Sequence, residues 1–147
     1  MGSHWTYKNE LFDDIPEGIY GFIYRITNKE SGKFYIGRKQ FISVTRKTIK
    51  GRKNKKVTRK EMKWKEYTGS NKVLNGDIDK LGKDKFIFEI LALGESKGQV
   101  NFLEVIAQIK MDVLTDTNSY NQAIGNGQFK AVKITEQLKE SIKNIHL

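Results

Sequence analysis

Phe22-Ile23-Tyr24 and Tyr35-Ile36-Gly37 read as the inner halves of a β-hairpin. The first strand, Ile19 to Thr27, is rich in β-branched and aromatic residues, and the second runs from Lys33 to Phe41. Between them Asn28-Lys29-Glu30-Ser31-Gly32 supplies polar turn-formers and a Gly free to take positive φ. Side chains alternate along a strand, so Phe22, Tyr24 and Ile26 share one face. Tyr35 and Gly37 share a face of the partner strand. Taken alone, this is a hairpin with aromatic packing.

Upstream, Ile15-Pro16-Glu17-Gly18 is a breaker placed just before the first strand. Met1-Gly2-Ser3-His4 reads as a cloning scar, and residues 1–17 as scar and lead-in. Downstream lies a basic stretch, 46–60, comprising Arg46, Lys47, Lys50, Arg52, Lys53, Lys55, Lys56, Arg59 and Lys60. Gly51 and Asn54 break any helical period there, which predicts an exposed loop. Such runs are usually solvated faces. At this density like charges repel unless a polyanion compensates them, which favours phosphate contact.

Trp64-Lys65-Glu66-Tyr67-Thr68-Gly69-Ser70 leads into a helix predicted from Asn71 to Leu81, with Ser70 or Asn71 as N-cap and Gly82 as stop. Phe86 to Leu93 is a compact apolar run, the third strand. A second helix is predicted over Gln99–Leu114, with Phe102, Ile106, Ile109 and Val113 on its core face. Glu104, Gln108 and Asp112 form the opposite stripe, so by residue type Glu104 is a solvated helix carboxylate. Thr135 to Leu147 makes an amphipathic helix, capped by Thr135, with Ile134, Leu138, Ile142 and Ile145 as its apolar face, that covers the sheet or carries a dimer contact. The expected fold is α/β (α+β): a small three-stranded antiparallel sheet flanked by helices.

The chain of 147 residues holds 27 Lys plus Arg against 17 Asp plus Glu, a net charge of +10. That field favours a polyanion, with nucleic acid ahead of an anionic membrane surface. No apolar run approaches the roughly 18–20 residues of a membrane span, and the start lacks a signal peptide's apolar stretch. With no cysteine, disulfides and thiolate-zinc sites are excluded and a cytoplasmic setting follows. Of the two histidines, His4 lies in the scar and His146 beside the C-terminus, which argues against His-based catalysis. Proton abstraction must then fall to Tyr, Lys or a carboxylate.

The hairpin, Tyr67-Thr68-Gly69-Ser70, a helix, Leu81-Gly82-Lys83-Asp84-Lys85-Phe86, an apolar strand, Leu103-Glu104 and Tyr120-Asn121 occur in one order. That order resembles the GIY-YIG nuclease family, most closely the phage-encoded Seg-type homing endonucleases, over residues 18–125. The literal Gly18-Ile19-Tyr20 lies too far from Tyr35 for the family's spacing. Counting back from Tyr35 lands on Phe22-Ile23-Tyr24, so Phe22 replaces the first Gly.

The resemblance implies a DNA endonuclease that hydrolyses phosphodiester bonds, acting on double-stranded DNA. Glu104 would hold one divalent cation, Mg²⁺ or Mn²⁺, and a lone carboxylate suffices because Mg²⁺ keeps several waters. A tyrosine would be the general base, Tyr24 first, with Tyr35 orienting the water or phosphate, and Lys33 and Lys39 flank the second triplet and favour phenolate. Arg46 would clamp the scissile phosphate, with Arg38 as second candidate. Asn121 would support the site, and Gly37 completes the second triplet. Trp64 and Tyr67 either stack on bases or pack in the core. One such site cuts one strand, so a double-strand break requires a homodimer or sequential nicking. Homing, restriction and repair all remain open as roles, and a phage-encoded enzyme would work in the host cytoplasm. The other reading is a non-catalytic basic domain that binds nucleic acid.

Overall fold

The computed structural model describes residues 2–125, 129–130 and 135–145. Its centre is β3 (Gly21–Asn28), buried along nearly its whole length. It pairs antiparallel with β4 (Phe34–Gln40) on one side and with β7 (Phe86–Gly94) on the other. These are the three strands expected from the sequence.

The sheet is larger than expected, however. β1 (Thr6–Tyr7) lies parallel to β7, and β2 (Glu10–Leu11) closes on β1, giving a five-stranded order β2-β1-β7-β3-β4. Two-residue strands carry no readable alternation, which is why the lead-in hid them. Their turn, Lys8-Asn9, has φ of 52° and 66°, the left-handed pair that matches strand twist in a tight hairpin. The opening residues belong to the fold. Ser3 is buried, and His4 stacks on Phe88 at 3.9 Å between ring centroids.

Both faces of β3 are covered. Phe22, Tyr24 and Ile26 join Trp5, Phe41, Trp64 and Phe88 in an aromatic core. Trp5 is tied across it, its indole Nε1 donating to the Trp64 carbonyl at 2.8 Å. Ile23 turns the other way, onto Ile36, Val100 and Val113. Trp64 is therefore a core residue, whereas Tyr67 is only partly covered.

α1 (Lys72–Leu81) matches expectation: Asn71 Oδ1 accepts from the Leu74 N–H at 2.9 Å, and Gly82 follows with φ of 94°. Leu74 and Ile78 face the core. A turn of 3₁₀ helix, Lys83–Lys85, then leads into β7.

α2 (Lys97–Lys110) differs in its buried face and ends earlier than predicted. It buries Val100, Glu104 and Gln108, while Phe102 is 67% and Ile109 50% exposed. The cause is at the sheet. Gly21 and Gly94 face each other in register, and a Cβ on Gly94 would stand 2.6 Å from Val100 Cγ2. That close seat turns the Val100 side of the helix inward, and Glu104 and Gln108 follow one and two turns later. Glu104 is thus buried rather than solvated.

The basic stretch is exposed, as expected, but it is not a loop throughout. β5 (Ile42–Lys47) and β6 (Lys56–Glu61) pair as a separate antiparallel hairpin, leaving residues 48–55 as its tip. Val44, Thr45, Val57 and Thr58 are β-branched and suit strands, a signal that the lysines around them obscure. At the far end, β8 (Ala123–Ile124) pairs with β9 (Phe129–Lys130), and α3 (Glu136–Lys143) is capped by Thr135. Ile142 and Ile145 on its predicted apolar face are exposed, whereas Ile134, His146 and Leu147 lie outside the described residues. Among the described residues no helix is long and apolar enough to cross a membrane.

Candidate active site

A cavity of about 550 Å³ lies along β4, the edge strand of the large sheet. Its walls include Tyr24, Tyr35, Arg38, Lys39, Tyr67, Glu104, Gln108 and Asn121. Alternation along β4 explains why one edge gathers them. Tyr35, Gly37 and Lys39 lie on the aromatic face with Tyr24, while Ile36 and Arg38 lie on the face covered by α2.

Tyr24 is 1% exposed, and two glycines make room for its ring. A Cβ at Gly37 would collide with the Tyr24 hydroxyl and stand 2.6 Å from its Cζ. At Gly69, which has φ of 82°, a Cβ would lie 3.2 Å from the same hydroxyl. The second Gly of the paired triplets is therefore a steric requirement of the first tyrosine. Tyr24 also meets Tyr35 at 6.1 Å and Tyr67 edge-on at 6.0 Å between centroids. Leu91 is skipped where β3 pairs with β7, a bulge between Ile23 and Tyr24 that breaks the ladder beside the tyrosine.

Burial, reinforced by Tyr35, Tyr67 and Glu104, holds the Tyr24 phenol well above its ordinary pKa. Burial raises Tyr35 as well, against a hydrogen bond with Ser70 that pulls it down. Both phenols are neutral at pH 7 in this state. The two lysines expected to favour phenolate do not act together here. Lys39 stands over the Tyr67 ring at 4.4 Å, its own pKa lowered by burial. Lys33 instead faces Tyr120 at 5.8 Å and lines a shallow depression with Asp77.

Glu104 enters from α2 with its side chain nearly covered. Desolvation raises its pKa, and the charge and hydrogen bond of Arg38 work against that rise. Arg38 Nε lies 3.2 Å from Glu104 Oε1. Arg46 does not reach this cavity; it is exposed on β5, opposite Val57. The segment that carries it, expected as a loop, is a strand that leads away from the cavity wall.

Asn121 caps the strand edge. Its Oδ1 accepts from the Ile36 N–H at 2.9 Å and its Nδ2 donates to the Ile36 carbonyl at 2.8 Å. One amide side chain thus replaces a neighbouring strand and fixes β4 next to Gly37. Gln108 also reaches the Ile36 carbonyl, at 3.3 Å. Gln108 was not a candidate from sequence, and Tyr67 was weighed there only for base stacking or core packing. Gln108 was signalled by its i+4 spacing from Glu104, and Tyr67 by its place before the Gly69 turn.

Among the described residues no three His, Cys, Asp or Glu side chains cluster as metal ligands. The cavity does present one hard carboxylate, from Glu104, in a space large enough for hydrating waters. That donor set suits a divalent cation of the Mg²⁺ type, which commonly uses one or two carboxylates.

The family model described as "Putative endonuclease segE, GIY-YIG domain" matches residues 5–124. No curated protein and no solved structure matches the chain. The match supports nuclease activity and a DNA substrate in general terms, and nucleases of this kind generally use a divalent metal. Because the matched span takes in β1 through β8 and nearly every wall of the cavity, the chain belongs to the SegE-type GIY-YIG endonuclease family.

Proposed function

We propose that this protein is a metal-dependent DNA endonuclease whose site is the cavity along β4. The observation that carries the reading is that Tyr24, Tyr35, Arg38, Glu104 and Asn121 border one cavity. Glu104 would hold a Mg²⁺ or Mn²⁺ ion, which when bound supplies positive charge to the phosphate and the departing 3′ oxygen.

The remaining work falls to the chain's own side chains. A water forms its bond to phosphorus as the bond to the 3′ oxygen breaks, and the water's proton must go to a base. Tyr24 and Tyr35 are the candidate acceptors. Their raised pKa values mean that substrate and cation must lower them, or that a phenolic oxygen orients the water as its proton leaves. Arg38 would hold the scissile phosphate. Its forked donors suit two phosphate oxygens, and Glu104 keeps it in place beforehand. Asn121 and Gln108 position β4 and through it Tyr35, Gly37 and Arg38. Arg46, with the rest of the basic stretch, would contact the DNA backbone away from the reacting phosphate.

The test is nicking of supercoiled plasmid with Mg²⁺, comparing wild type, Glu104→Gln and wild type in EDTA. Loss of nicking in both comparisons supports the reading. Plasmid binding without nicking by wild type would instead favour a non-catalytic nucleic-acid-binding domain.

A further inference from the structure

The β5–β6 hairpin stands out in the molecule. Among the described residues it pairs with no other strand, and from Ser31 to Lys60 the chain contains no Asp or Glu. A solubilising surface needs neither a regular ribbon nor such a purge of acids.

Its root is packed into the core and adjoins the cavity. Phe41, just before β5, is buried against Trp64, just beyond β6, with ring centroids 4.9 Å apart. The Met62 N–H donates to the Phe41 carbonyl at 2.7 Å and closes the root. Gln40 and Met62, which flank the hairpin, both line the cavity. Each strand has six residues, so at about 3.4 Å per residue the ribbon extends about 20 Å from the cavity rim.

The register sorts its side chains into two unlike faces. Ser43, Thr45 and Lys47 stand opposite Lys60, Thr58 and Lys56, so this face carries only hydroxyls and ammonium groups. The other face bears Ile42, Val44, Arg46, Val57, Arg59 and Glu61, and Ile42 packs on the aromatic core at the root. The polar face therefore turns away from the protein body where the ribbon begins.

We propose that this hairpin is a DNA-reading arm that lies in the major groove of the duplex being cut, with its hydroxyl-and-lysine face toward the base edges. This rests on the reading of the cavity as a DNA-cleaving site. A two-stranded ribbon fits the B-form major groove, about 12 Å wide, where hydroxyls and ammonium groups find base-edge acceptors and donors. The lysines and arginines of the tip and opposite face then meet the phosphates on either side. An arm of about 20 Å spans about six base pairs at about 3.4 Å each, so recognition extends about half a helical turn to one side of the cut. Lysine-rich free edges also discourage the competing outcome, strand pairing between two copies of the chain.

The test measures binding in EDTA, with no cleavage step, by anisotropy of a labelled 30-base-pair mixed-sequence DNA duplex. Wild type is expected to be displaced by the major-groove dye methyl green and not by the minor-groove ligand netropsin. It should bind the matching RNA duplex at least 10-fold more weakly, because the A-form major groove is too narrow for the ribbon. K47Q/K56Q/K60Q should weaken DNA binding at least 10-fold and flatten the salt dependence. T45V/T58V, which removes no charge, should shift the positions nicked on plasmid. Circular dichroism checks that each variant is folded.

Displacement by netropsin alone, equal or tighter binding to RNA, or unchanged affinity of the triple-lysine variant would overturn the arm. An unchanged nicking pattern in T45V/T58V would overturn base reading by this face. If wild type binds as expected but does not nick, the endonuclease reading fails and the groove-binding arm stands. If wild type nicks while the arm variants bind normally, the reverse holds.

Discussion

Arg38 Nε meets Glu104 Oε1 at 3.2 Å, joining the sheet's edge strand to the helix α2 that packs on its aliphatic face. The pair places a permanent cation beside a buried carboxylate, and each has a separate task once DNA and metal arrive. A buried ion pair adds little net stability, because desolvating the charges offsets their attraction.

Glu104→Gln should therefore separate function from folding. Plasmid nicking should fall by about 100-fold or more, while the stability read from the urea midpoint should fall by less than the about 3–5 kcal/mol of breaking a fully buried pair, because Arg38 keeps partial access to solvent. Full nicking by the variant would remove Glu104 from the site, and gross unfolding would show that the ion pair is structural.

Arg38 also sets the pH range of the site. Burial raises the folded-state pKa of Glu104 above its unfolded value, so this group's contribution favours the fold at low pH and is lost as pH rises through the folded pKa. Metal binding has the opposite need, a deprotonated carboxylate. The acid limb of nicking should accordingly lie above the ordinary Glu range. Arg38→Gln should move that limb to higher pH and lower the plateau by about 100-fold, since the guanidinium both opposes the pKa rise and would hold phosphate. Arg46→Gln should leave the limb unmoved and weaken DNA binding only modestly. A pH–rate profile of the three proteins decides between the two arginines.

Gly37 and Gly76 should respond oppositely to alanine. At Gly37 the new methyl group strikes the Tyr24 ring, so G37A should cost about 1–3 kcal/mol and most of the nicking activity. At Gly76, inside α1, the new Cβ meets nothing within 4 Å, and G76A should stabilise by about 0.5–1 kcal/mol. Thermal melts of both variants check the sign at each position.

His4 should make the fold acid-sensitive. Burial lowers its pKa from 6.5 to about 4, against the hydrogen bond with the Tyr67 carbonyl. Between those values the unfolded chain binds the extra proton, so stability is full above pH 6.5 and declines as pH falls toward 4. Replacing the imidazole by a ring that cannot titrate, in His4→Phe, should flatten this part of the urea-midpoint profile. An unchanged slope would assign the acid sensitivity elsewhere.

The hairpin, α1 with its Asn71 cap, and β7 were legible because each carries a local cause: β-branched runs, a turn with Gly, a capping side chain, a stop at Gly82. Tyr24, Tyr35, Glu104 and Asn121 were legible as a set only through the order of short motifs. β1 and β2 were not, since two residues are too few for a period, and their pairing with β7 spans most of the chain.

The chain's own pattern misled at α2. Phe102 and Ile109 make the better apolar stripe, yet the helix buries Glu104 and Gln108 because Val100 seats against Gly21 and Gly94. Local residue chemistry thus determined the strands, the caps, the basic charge and the types of side chain available for catalysis. Which of them share a cavity was settled by long-range contacts: the helix's rotation on the sheet, the gap left at Gly37, and the ribbon that forms after Gln40. Those outcomes depend on what each segment packs against, and a residue's neighbours in sequence do not carry that information.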